Sequence, residues 1–296
     1  MPASTRRYDL LHKRLEQFTQ MLQGLDEGDV RALHRTRVAS RRLREILPVL
    51  QVDPDVARRL GRRLRKVTQR LGKVRELDVL CLLIDELRLS GLYDAQAVRR
   101  LATAVGDERA HARDKLLARL PTGELHRIAS KLDKIANDLK TRKSSPGWRW
   151  AVEARVTHRA LALKDALVDA GALYLPERLH TVRIALKKLR YAQEVSAEAS
   201  GVKVKGELRA LKRGQDLLGR LHDMQVLLER VRQLQLSLTT PQATMRRKLD
   251  ALTTALENHC RRLHARFMHR RSAVLTVCDR AAGLKATVAT ARRVAS

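Results

Sequence analysis

His34, Arg37, Arg41 and Arg44 follow one another at spacings of three, four and three in the stretch HRTRVASRRLREIL, with Arg42 beside them. Those spacings bring residues onto one face of an α-helix. Guanidinium forks bridge phosphate or carboxylate oxygens in bidentate fashion, and an imidazole among them donates a hydrogen bond or takes up a proton. A row of this kind binds oxyanions. It lacks the carboxylates that general acid–base or metal-assisted chemistry needs. The form returns in HTVRIALKKLRYAQ, where His180, Arg183, Lys187, Lys188 and Arg190 stand in for His34, Arg37, Arg41, Arg42 and Arg44. Positive charge persists there even where the residue type changes.

A helix must position each row. With His34 at zero and about 100° per residue, Arg37, Arg41 and Arg44 fall between about 280° and 340°. Ala39, Leu43, Ile46, Leu47 and Leu50 fall on the opposite side, between about 120° and 220°. His180, Arg183, Lys187 and Arg190 take the same angles, with Ala185, Leu189 and Ala192 opposite. Each basic row is about 15 Å long. A further stripe, Arg62, Lys66, Arg70 and Lys73, is expected on the next helix, echoed by Arg209, Arg213 and Arg220. Like charges three and four apart repel by a few tenths of a kcal/mol per pair. Only Glu45 lies at the edge of the first row, so an anionic polymer is the expected partner.

A second pair of segments repeats in the same order. LGKVRELDVL (Leu71 to Leu80) matches LGRLHDMQVL (Leu218 to Leu227), with Gln225 in place of Asp78. The offset is 147, against 146 for the first pair, which predicts a tandem duplication. Glu76, Asp78 and Asp223 are expected to orient neighbouring arginines.

Composition agrees with a polyanion binder. The 296 residues carry 61 Lys and Arg against 32 Asp and Glu, a formal charge of +29, and aromatics are 3%. Few aromatics argue against stacking on exposed bases. The excess is spread along the chain: net +13 over residues 1–145 and +16 over 146–296. Cys81, Cys260 and Cys278 have no disulfide or zinc-ribbon spacing. Cys260 and His264 lie four apart, with His259 and His269 nearby, but packing residues are the expectation and no metal site is assigned. P-loop, G-x-S-x-G and H-E-x-x-H motifs are absent. The longest apolar run, VLCLLI, is six residues, and no targeting segment is visible, so a cytoplasmic protein without a membrane span is expected.

The periodicity is helical throughout, with breaks near Gly24–Asp29, Val52–Asp55, Ser90–Asp94, Leu120–Glu124, Gly171–Pro176, Ser200–Gly206 and Thr239–Gln242. The fold class is therefore all-α, two four-helix bundles: residues 1–143, a Ser-Ser-Pro-Gly linker over 144–149, and residues 150–296. No exposed heptad seam argues for dimerisation.

The H-x-x-R-[VI]-A-x-[RK]-[RK]-L-R signature, present twice, and the L-G-x-x-[RH]-[ED]-x-x-V-L segment resemble the CHAD domain, the conserved histidine α-helical domain. The resemblance spans about residue 4 to about 285. It implies two pseudo-twofold-related bundles facing a shared basic groove, binding of inorganic polyphosphate, and association with polyphosphate granules and their proteins. The implied polyphosphate-binding residues are the His/Arg/Lys rows named above. Some members add a β-rich CYTH triphosphate-tunnel module. No such E-x-E strand pattern occurs here, so a stand-alone, non-enzymatic binder without cofactor is expected. Nucleic acid is expected only as a non-specific competitor, and a phosphohydrolase or accessory subunit is the third reading.

Overall fold

The protein is described by a computed structural model covering residues 3–26, 29–118, 122–141, 147–202, 204–238 and 242–283. Among these residues there are ten α-helices, one short 3-10 turn and no strand. In chain order the helices are α1 (Ala3–Asp26), α2 (Val30–Ile46), α3 (Pro54–Arg70), α4 (Gly72–Ser90), α5 (Ala95–Leu117), α6 (Thr122–Thr141), α7 (Gly147–Ala170), α8 (Pro176–Ser200), α9 (Lys205–Leu236) and α10 (Ala243–Ala281). The 3-10 turn, Leu47–Val49, follows α2 directly.

Local chemistry sets the ends. Asp29 caps α2, accepting from the backbone N–H of Arg31 at 2.8 Å and of Ala32 at 3.2 Å. Asp53 does the same for α3, at 2.7 Å from Asp55 N, with Pro54 opening the helix. Asp94 caps α5 through Gln96 and Ala97. Each such cap contributes about 1 kcal/mol. α4 and α8 stop at Gly91 (φ 64°) and Gly201 (φ 74°), left-handed positions that a side chain would strain.

Residues up to 141 form six helices, where four were expected. The extra break is at Leu71 (φ −73°, ψ −6°), whose N–H still bonds Val67 O. The matching Leu218 and Gly219 lie inside the uninterrupted α9. The four residues Arg62, Lys66, Arg70 and Lys73 therefore do not form one stripe, because the first three belong to α3 and Lys73 to α4. The remaining break, at 120–124, includes residues outside the described set and ends with the start of α6 at Thr122. Of the expected linker, 144–146 lie outside the described residues, and 147–149 are the first turn of α7.

The chain forms two compact units. One comprises Met1–Trp148 with Arg220–Arg262, the other Arg149–Gly219 with Leu263–Ser296, so α9 and α10 each contribute to both. In the first unit α1 packs on α2 and α6, α2 on α3, and α4 on α5. Leu11, Phe18, Leu43, Ile46, Leu64, Ile128 and Leu132 are sealed in its core, and burying each such side chain contributes about 1.5–3 kcal/mol. In the second unit α9 presses against its neighbours at Gly214. A Cβ there would stand 3.1 Å from Leu186 Cδ1 of α8 and 3.3 Å from Val274 Cγ2 of α10.

Candidate polyanion-binding faces

In the first unit α2 turns Ala39, Leu43 and Ile46 inward, and all three are buried. His34 is exposed on the outer face, with Arg37, Arg41, Arg42 and Arg44 half-buried. Glu45, expected at the edge of that face, is instead buried at 7% exposure, and its carboxylate partly offsets the cations around Arg44.

Three helices supply charge here, one more than the row on α2 and the stripe beside it. Partial burial and then Arg75 of α4, ahead of Arg37, Arg41 and Arg35, hold the His34 imidazole below its ordinary pKa. Burial, Arg65 of α3 and Arg41 likewise lower Arg44. Arg37 reaches the start of α4, where a Cβ on Gly72 would lie 3.8 Å from its Nη2. Arg65 and Arg75 were not singled out in the sequence. Arg75 could have been, since it is the basic residue of the LGKVRELDVL segment. Arg41, Arg62, Arg65, Lys66 and Arg75 have no acidic partner among the described residues.

Other predicted cations are neutralised. Arg70 pairs with Glu124 of α6 at 3.2 Å, and Lys73 with Glu108 of α5 at 2.6 Å. Glu108 also accepts from Arg230 at 3.1 Å. Arg220 bonds Glu86 and belongs to the first unit, whereas Arg209 and Arg213 belong to the second. Buried Asp78 does orient an arginine, but it is Arg109 of α5, whose Nε donates to it at 2.6 Å. That hydrogen bond raises the Arg109 pKa.

In the second unit α8 buries Leu186, Leu189 and Ala192 and leaves His180, Arg183 and Lys187 half-buried, with Lys188 exposed. The His180 pKa is lowered by partial burial, then by Arg183 and Lys187. Arg209 and Arg213 of α9 are exposed. Arg190 is committed to the protein: its Nε donates to Gln215 at 2.8 Å, its Nη1 to Glu194, and its guanidinium lies 4.6 Å from the Tyr191 ring centroid. Arg190 therefore braces α8 on α9, unlike its counterpart Arg44.

No group of three or more His, Cys, Asp or Glu is placed to hold a metal ion among the described residues. Cys278 is buried and its thiol is pushed up to about 12, which keeps it inert. No described helix is long and apolar enough to cross a membrane.

Comparison with known proteins follows the same lines. The crystal structure of the CHAD domain from the plant Ricinus communis matches with a TM-score of 0.65 at 21% identity, covering 94% of this chain and 92% of that one. PptA from Streptomyces chartreusis matches with a TM-score of 0.61 at 22% identity, covering 95% and 99%. Identities this low establish the fold alone. Comparison with the curated proteins found no match. A model of the CHAD domain family matches residues 9–232, most of the chain, and with both signature segments inside that span, the chain belongs to the CHAD domain family.

Proposed function

We propose that this chain is a non-enzymatic binder of inorganic polyphosphate that associates with polyphosphate granules in the cytoplasm. The observation that carries the reading is the cluster around His34. There partial burial, then Arg75 of α4 and Arg37 and Arg41 of α2, hold one imidazole below its ordinary pKa. Unneutralised Arg41, Arg62, Arg65, Lys66 and Arg75 repel one another, and a bound polyanion relieves that repulsion. Polyphosphate carries about one charge per phosphate and no bases, which suits an all-cation face with few aromatics. Membership of a family linked to polyphosphate-related proteins points the same way. His180, Arg183, Lys187 and Lys188 of α8 form the corresponding row of the second unit, and Arg209 and Arg213 of α9 are further exposed cations of that unit.

Calorimetric titration of long-chain polyphosphate into the full chain tests this. Wild type is expected to bind. A variant carrying Arg41→Glu and Arg75→Glu is expected to lose tenfold or more in affinity while staying helical by circular dichroism. Unchanged affinity would refute the first face. Release of phosphate by the wild type with Mg²⁺ or Mn²⁺ would refute the non-enzymatic reading.

A further inference from the structure

The two basic rows share a pattern but not a setting. The offset of 147 aligns α3 and the start of α4 with α9, so Arg65 corresponds to Lys212, Gln69 to Asp216 and Arg75 to His222. In the first unit α2 packs on both α3 and α4, and both arginines come to its row. After burial, Arg65 is the leading influence on Arg44 and Arg75 the leading one on His34, each lowering a pKa. Neither arginine has an acidic partner among the described residues. Cations from three helices therefore meet around a single row.

The second unit answers each of these positions differently. Lys212 is held by Asp216, one turn along α9, at 2.8 Å. α9 runs on where α3 stops at Leu71, and it leaves the second unit after Gly219, so His222 belongs to the first unit. Arg190 donates to Gln215 and Glu194. Its counterpart Arg44 faces Arg65 and Arg41, with buried Glu45 partly offsetting them. Arg183 and Lys187, the cations that act on His180 after burial, belong to its own helix.

Building on the polyphosphate reading, we propose that the two rows are unequal sites. The α2–α3–α4 face of the first unit is the primary one and holds a short oligophosphate by itself, with Arg65 and Arg75 as its determining residues. The α8 row takes part only with long polymers. Convergent guanidinium groups act together on a few phosphates, each able to bridge two oxygens, and the repulsion that a ligand relieves is concentrated there. With Arg190 braced and Lys212 neutralised, the α8 row offers contacts strung along about 15 Å of helix. Only a chain that runs along it collects them.

Calorimetric titration of the full chain with tripolyphosphate, and separately with long-chain polyphosphate, at about 150 mM salt reads the outcome. Wild type is expected to bind tripolyphosphate at a single site. Arg65 and Lys212 are both exposed, so Arg65→Gln and Lys212→Gln form a matched pair that leaves the core untouched. Arg65→Gln is expected to weaken tripolyphosphate severalfold and Lys212→Gln to leave it unchanged. Arg75→Gln is expected to cost tenfold or more, and Arg75→Lys to recover most of that loss, which a merely structural role would not allow. Lys187→Glu is expected to weaken the long polymer alone. Equal losses from Arg65→Gln and Lys212→Gln, or two equivalent tripolyphosphate sites, would overturn the proposal. A wild type that binds the long polymer but not tripolyphosphate would overturn it and leave the polyphosphate reading standing. A wild type that binds neither would overturn both.

Discussion

At the scale of single residues, His34 and His180 report on the anion. Both imidazoles are held below their ordinary pKa of 6.5 by partial burial and neighbouring cations, so both are neutral in the free protein near pH 7. A polyanion stabilises the protonated form, and binding therefore takes up protons. Affinity is expected to rise as pH falls from about 8 to about 5.5. Replacing His34 and His180 with Gln should flatten that profile, measured by titration across the pH range. In the free protein the sign is opposite. The unfolded chain binds the extra protons, so these histidines cost stability as pH drops below 6.5. Asp78 gives a separate test: Arg109→Leu leaves a buried carboxylate without its 2.6 Å donor. A loss of about 2 kcal/mol is expected by urea unfolding, with polyphosphate affinity little changed.

At the scale of elements, the helices that carry the rows were legible because cap chemistry and the 3.6-residue period agree. Asp29, Asp53, Asp94, Gly91 and Gly201 all mark ends that a reader of the sequence can place. The break at Leu71 was not legible. Leu71 is a good helix former whose N–H keeps a helical bond, and although Gly72 follows it, the matching Gly219 lies inside α9, so glycine alone does not mark a break. Tertiary packing, not propensity, decides the turn. Arg65 and Arg75 were missed for a related reason: each lies off the row on its own helix and joins His34 and Arg44 only when α3 and α4 fold against α2. The bracing of Arg190 was not legible because Gln215, its partner, lies 25 residues away on α9. Gly214 offers a test at this scale. Gly214→Val would drive side-chain atoms against Leu186 and Val274, and a loss of about 1–3 kcal/mol is expected in thermal unfolding. The His180 row would shift with α8.

At the scale of the whole molecule, the family and the all-α fold were readable from two short signatures and their repetition. The unit boundaries were not, because contacts join Arg220–Arg262 to the N-terminal residues across more than 70 intervening positions of chain. Net charge of +29 guarantees some affinity for any polyanion, so affinity alone does not identify the ligand. Specificity does. Competition between long-chain polyphosphate and double-stranded DNA at about 150 mM salt is the most direct test, because non-specific phosphate contacts to a duplex weaken steeply there. Wild type should prefer polyphosphate by tenfold or more. A variant with Arg37, Arg41, Arg183 and Lys187 changed to Glu should lose that preference while remaining folded. Equal competition by DNA, or a variant that binds as wild type does, would contradict the account and reduce the duplicated rows to part of a general basic coat.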